Sequence, residues 1–124
     1  MPAKNIILIT LDGFRKDKIG LCPSLKSIKE NSYYFSEMNT NAPYTFAAHH
    51  VIFSGMYPSC NGVDGYYKMF NFKKDEITTL AEMLRKNDYY TVSETLDESV
   101  LPRQGFDEYN LFDEKTVNLK KRHM

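Results

Sequence analysis

The sequence predicts an α/β fold built on a parallel sheet, and its N-terminal run and the pattern from Asp75 to Ser93 predict it. Residues 5–12, Asn-Ile-Ile-Leu-Ile-Thr-Leu-Asp, form a short apolar run rich in β-branched residues and closed by Asp12-Gly13. A run without polar alternation suits a central parallel strand, because helices cover both of its faces. Further on, Ile77, Leu80, Ala81 and Leu84 recur at helical spacing, so one stripe of that helix packs inward. Asn87-Asp88 closes the helix, and Tyr89-Tyr-Thr-Val-Ser then reads as a strand. Strand, helix, strand at these lengths is a βαβ pattern.

The other elements follow in order. After Arg15, Lys16 and Asp17 the chain crosses a loop to Cys22-Pro23. Pro23 suits the first turn of a helix, and Leu25 and Ile28 give that helix a short inward face. Residues 33–38, Tyr-Tyr-Phe-Ser-Glu-Met, read as a strand. A second helix is expected from Thr45, then a Gly- and Tyr-rich loop over residues 57–72. Asp75 is the expected cap of the Ile77–Leu84 helix. From Leu96 on, the sequence shows a turn at Gln104-Gly105-Phe106-Asp107 and a polar, lysine-rich tail. No internal repeat, low-complexity segment or linker stands out.

Composition narrows the function. The chain has 124 residues, 16 basic and 16 acidic side chains, and 42% hydrophobic residues. That suits one small globular domain. The zero net charge gives no electrostatic case for nucleic acid or an anionic membrane surface. Cys22 and Cys60 lie far apart and form neither a metal-binding spacing nor a redox pair, so reduced thiols are expected. No apolar run is long enough for a transmembrane helix, and the N-terminus lacks the zones of a signal peptide. The expected location is therefore cytoplasmic.

The chemistry centres on residues 42–63. Pro43 holds the entering chain extended. Thr45 has the hydroxyl of an N-cap, and Phe46, His49, His50 and Phe53 follow at helical spacing before Gly55 ends the helix. The Thr45 hydroxyl then sits at the positive end of a helix, where an anionic group is stabilised. Thr45 is thus a candidate nucleophile for phosphate or sulfate esters, although the same pattern describes an ordinary capped helix. Asp12 ends the first strand, where ligands of open α/β sheets bind. An aspartate in an Asp-Gly turn would look the same.

These stretches together resemble one family. The first strand through Phe14-Arg15, Pro23-Ser-Leu, Ala42-Pro-Tyr-Thr with Phe53-Ser-Gly-Met-Tyr-Pro and Asn61-Gly-Val, Thr79-Leu-Ala-Glu-Met-Leu-Arg, and Gly105-Phe-Asp occur in order over nearly the whole chain. In this the sequence resembles the N-terminal part of the alkaline phosphatase superfamily, on its sulfatase-like and phosphodiesterase-like branch. The resemblance implies the parallel-sheet sandwich of that superfamily. It makes Thr45 the covalent nucleophile and a metal ligand, Asp12 a metal ligand, and His49 a residue lining the site. A divalent metal would activate the hydroxyl, with zinc, manganese or calcium all compatible. His49 also fits as a polar residue on its helix, and His50 reads as structural.

The departures from the family pattern select a branch. Thr45 stands where sulfatases carry the cysteine or serine converted to formylglycine, and Gly13 follows Asp12 where sulfatases have a second acid. Both favour the threonine branch, which acts on phosphoesters by hydrolysis or transfer. Nucleotide pyrophosphatases share Thr-Phe but continue with Pro-Asn-His, and Ala48 replaces that asparagine.

Family domains are longer and draw most of their metal ligands from later Asp and His motifs, whereas this sequence has 3 histidines. Residues 1–124 are therefore expected to be the N-terminal portion of a larger hydrolase domain, inactive alone. The expected function is metal-dependent hydrolysis or transfer of phosphate esters, on a small anionic ester substrate. The alternatives are a sulfatase, or an incompetent fragment that serves as a binding piece. An uncovered sheet edge would invite association.

Overall fold

A computed structural model describes residues 4–112. They divide into two compact units, Met1–Asn39 and Thr40–Met124.

In the first unit, a 3-10 helix at Lys16–Leu21 leads into α1, Pro23–Glu30, which opens on Pro23 in its first turn as expected. Neither helix has a buried residue. The inward face expected of α1 is therefore not covered, and Ile28 is 61% exposed. Polar contacts hold the unit instead. The Arg15 guanidinium donates to both carboxylate oxygens of Asp17 at 2.9 Å, Lys26 pairs with Glu30, and Lys29 lies 4.2 Å above the Tyr34 ring.

The strands expected in this unit do not form. Residues 5–11 and 33–38 pair with no other segment as strands. An isolated strand has no ladder for its amides and no sheet to cover its faces, so apolar β-branched composition alone does not make one. The turn after the first run does form. Phe14 donates its amide to Leu11 O, with Gly13 at φ 65°.

The second unit holds α2 (Thr45–Ser54), α3 (Pro58–Asn61), a 3-10 turn at Met69–Asn71, α4 (Leu80–Arg85), β1 (Val92–Thr95) and β2 (Glu108–Leu111). β1 and β2 pair in parallel, with Val92 opposite Glu108 and Thr95 opposite Leu111. The α/β class and the parallel pairing thus agree with expectation, but the pair differs. β1 starts later than the run at Tyr89, and β2 falls in the stretch read as a turn and polar tail. The lysine-rich tail lies outside the described residues.

The core of this unit is Ala42, Ala47 and Val63, with Tyr44, Ala48, Met69 and Phe72 packed against it. The loop expected over 57–72 is therefore partly helical and folds over α2. Asn61 has none of its surface exposed. Its side-chain amide donates to Ser54 Oγ at 3.3 Å, and its carbonyl oxygen accepts the Val63 amide at 2.9 Å. Gly62 follows at φ 92°, and a Cβ there would stand 2.2 Å from Asn71 O. Asn61-Gly62-Val63 therefore ties the end of α2 to the returning loop.

α4 begins at Thr79, not near Asp75. Thr79 Oγ1 accepts the Glu82 amide at 3.2 Å while the Glu82 carboxylate accepts the Thr79 amide at 2.9 Å, a reciprocal capping box. That pair satisfies two amides together, and Asp75 has no equivalent partner at the helix start. Gln104 Nε2 also donates to Glu82, and Thr79 Oγ1 donates to Gln104 O. Gly105, at φ 93°, passes so close to α4 that a Cβ would meet Glu82 N at 2.4 Å. Asp107 accepts from the amide and hydroxyl of Thr91, which holds its carboxyl below the usual carboxylate range. Phe106 meets Phe53 of α2 edge-on at 5.6 Å between centroids. The Gly105-Phe106-Asp107 turn, expected from sequence, is the clamp that joins α2, α4 and the start of β1.

Candidate functional site

Thr45 opens α2, but not as its cap. Tyr44 is extended at φ −145°, ψ 156°, and its carbonyl accepts the Ala48 amide at 3.0 Å. That hydrogen bond makes Tyr44 the cap and puts Thr45 in the first helical position, contrary to the sequence reading. The cap makes no side-chain hydrogen bond. Thr45 still stands in the first turn, whose amides have no carbonyl partners within the helix. At the other end, Gly55 sits at φ 67° and returns its amide to Val51 O at 2.8 Å, as expected.

His49 lies one turn below Thr45 and is 9% exposed. Its Nδ1 is 2.8 Å from Thr45 O. A carbonyl oxygen only accepts, so Nδ1 carries the hydrogen in this contact. The structure therefore ties the His49 side chain to the backbone of Thr45. His50 repeats the arrangement with Phe46 O at 2.7 Å and packs edge-on against Phe72 at 5.0 Å. Burial pushes the His50 pKa down, against the Phe46 carbonyl, which raises it. It is a buried structural residue, as the sequence reading has it.

Tyr66 is the residue that the sequence reading misses. Its ring lies 5.6 Å from Tyr44 and 5.5 Å from Phe46, the two neighbours of Thr45, and Tyr67 stacks behind it at 5.1 Å. An aromatic wall thus flanks the residues that bracket Thr45. Only the fold of the 57–72 loop brings it there, since Tyr66-Tyr67 has no periodic signal of its own.

Asp12 belongs to the first unit, in the turn with Gly13, and Thr45 and His49 belong to the second. Cys22 and Cys60 are free thiols. Among the described residues, no group of at least 3 His, Cys, Asp or Glu side chains could hold a metal ion. Zinc or manganese needs several such ligands, so these residues do not fit a complete metal site. No helix among the described residues is long and apolar enough to cross a membrane.

The model of the type I phosphodiesterase / nucleotide pyrophosphatase family matches residues 6–107, most of the chain. The chain belongs to this family. The match spans both units and includes Asp12, the Thr45 helix and the Gly105-Phe106-Asp107 clamp. The membership agrees with the alkaline phosphatase superfamily resemblance and makes the chain kin to phosphoester hydrolases that typically depend on metals. No curated protein and no solved structure matches the chain.

Proposed function

We propose that this chain supplies the nucleophile of a phosphoester hydrolase or transferase, with Thr45 in that role. The observation that carries the reading is the position of Thr45 in the first turn of α2, within a sequence of the phosphodiesterase family. In the proposed reaction the Thr45 oxygen attacks phosphorus in line, a threonine–phosphorus bond forms, and the bond to the leaving alcohol breaks. Water, or an acceptor hydroxyl in a transferase, then releases the phosphoryl group. The amides of the first turn suit the charge that builds on the phosphoryl oxygens. His49 is a positioning residue, since its Nδ1–H holds the carbonyl of Thr45 itself. The substrate is a small anionic ester, and the Tyr44, Phe46 and Tyr66 rings suit an apolar leaving group beside it.

Asp12 is proposed as one ligand of the family's metal site. The other ligands would come from outside the described residues, and the chain would then be one portion of a sandwich-type hydrolase domain. That no complete ligand group stands among the described residues gives a second reading its support: a chain that binds phosphoesters without turning them over.

The test uses the protein isolated from its source and a chromogenic aryl phosphodiester. Thr45→Ala should lower turnover by about 10⁴-fold or more, while Thr45→Ser keeps a measurable rate. Full turnover by Thr45→Ala would overturn the assignment. Retained binding of the ester with no turnover by the natural protein would establish the second reading.

A further inference from the structure

Asn61-Gly62 is the single Asn-Gly pair in the sequence. Such a pair carries a chemistry of its own. The Gly62 amide nitrogen attacks Asn61 Cγ, a carbon–nitrogen bond closes a five-membered imide ring, and the amide proton leaves with the side-chain nitrogen as ammonia. Water then opens the ring at either carbonyl, which puts aspartate or isoaspartate at position 61. Glycine leaves the attacking nitrogen unhindered, because it has no side chain and its backbone turns freely. In the fold, every group that this step needs is held. Asn61 is 0% exposed and ends α3. Its Nδ2 donates to Ser54 Oγ at 3.3 Å and to Met56 O at 3.4 Å, and its Oδ1 accepts the Val63 amide at 2.9 Å. The Gly62 amide, which would be the nucleophile, donates to Pro58 O at 3.1 Å.

We propose that Asn61 is a spontaneous deamidation site gated by the loop of residues 57–72, and that its conversion releases this loop for good. While the loop is closed, the nitrogen and the side-chain carbonyl are tied to other partners, and water does not reach them. Local opening frees both at once. The product cannot rebuild the tie. An aspartate oxygen in the place of Nδ2 faces Met56 O, and two acceptors make no hydrogen bond. Burying its charge costs stability as well. Isoaspartate lengthens the main chain just before Gly62, where a Cβ would already stand 2.2 Å from Asn71 O. The same loop brings Tyr66 to Tyr44 and Phe46, the neighbours of Thr45, so conversion at position 61 dismantles that aromatic wall.

The test incubates the full chain in warm, mildly alkaline buffer, with and without urea, and follows position 61 by peptide mass mapping. Conversion in the folded chain should be at least about tenfold slower than in urea, because it waits for the loop to open. Ser54→Ala removes one partner of the Asn61 amide and leaves the Asn-Gly pair intact. It should speed conversion in the folded chain and leave the rate in urea unchanged. Asn61→Asp installs one product directly. It should lower the urea midpoint and speed hydrogen exchange at Val63 and Lys73, whose amides both meet Asn61. Equal conversion in the two buffers, no acceleration by Ser54→Ala, or an Asn61→Asp chain as stable as the natural one would each overturn the proposal. These readouts need no enzymatic turnover, so they stand apart from the assignment of Thr45.

Discussion

A glycine and a histidine carry clear constraints at the level of single residues. Gly62 combines φ 92° with a backbone oxygen 2.2 Å from where a Cβ would stand, so both conformation and space exclude a side chain. Gly62→Ala should destabilise the second unit by roughly 1–3 kcal/mol in urea unfolding. A loss below about 0.5 kcal/mol would show that the loop gives way easily. His50 sets a pH dependence. Its folded pKa lies below the ordinary value of 6.5 because burial opposes the charged ring. Below 6.5 the unfolded chain takes up a proton that the folded ring refuses, so the unfolded state binds more protons. Stability is then full above that value and falls as pH drops toward the folded pKa, with a slope of at most about 1.4 kcal/mol per pH unit. His50→Gln should remove that part of the slope, measured as the difference between the two unfolding curves across pH 7 to 5. Parallel curves would mean that the ring titrates in the fold as it does in the unfolded chain.

Helix ends decide how the elements meet. α4 is short, Leu80–Arg85, and propensity alone would not hold so few residues helical. Its capping box and the Gln104 contacts do. Thr79 is fully buried and serves both Glu82 and Gln104. Thr79→Ala should therefore cost about 1–2 kcal/mol, read by thermal or urea unfolding. A change near zero would mean that the box forms without contributing. The box and the 103–107 turn also explain why two family landmarks lie far from Thr45. They hold α4 and α2 together, with Phe53 against Phe106, and so fix the helix whose first turn bears Thr45.

The two units differ in what holds them. α1 and the 3-10 helix before it bury nothing, whereas α2 buries Ala47, His49, His50, Phe53 and Ser54. Opening free energy follows buried contacts and shielded backbone hydrogen bonds. In hydrogen exchange, the amides of 16–30 should show little protection, and those of α2 and the β1–β2 pair the most. Equal protection in both would show that the first unit is covered in solution.

Much of the second unit is legible in the sequence because its signals are local. The Gly55 stop, the Gly105-Phe106-Asp107 turn and the helical spacing around Ala81 each depend on a few neighbouring residues. The family is legible for the same reason, through short motifs spread over residues 6–107. The strands are not, because a strand needs a partner and partners are distant in sequence. The most apolar run, residues 5–11, is not part of a strand, while Glu108–Leu111, which looks like part of a polar tail, pairs with β1. The surroundings of Thr45 were decided in the same way. The sequence by itself determined which hydroxyl begins the helix and which histidine follows one turn later. The structure made Tyr44 the cap and set His49 on the Thr45 carbonyl through contacts between residues four apart, and only the tertiary fold brought Tyr66 to Tyr44 and Phe46, because contacts across a loop depend on packing that no local pattern encodes.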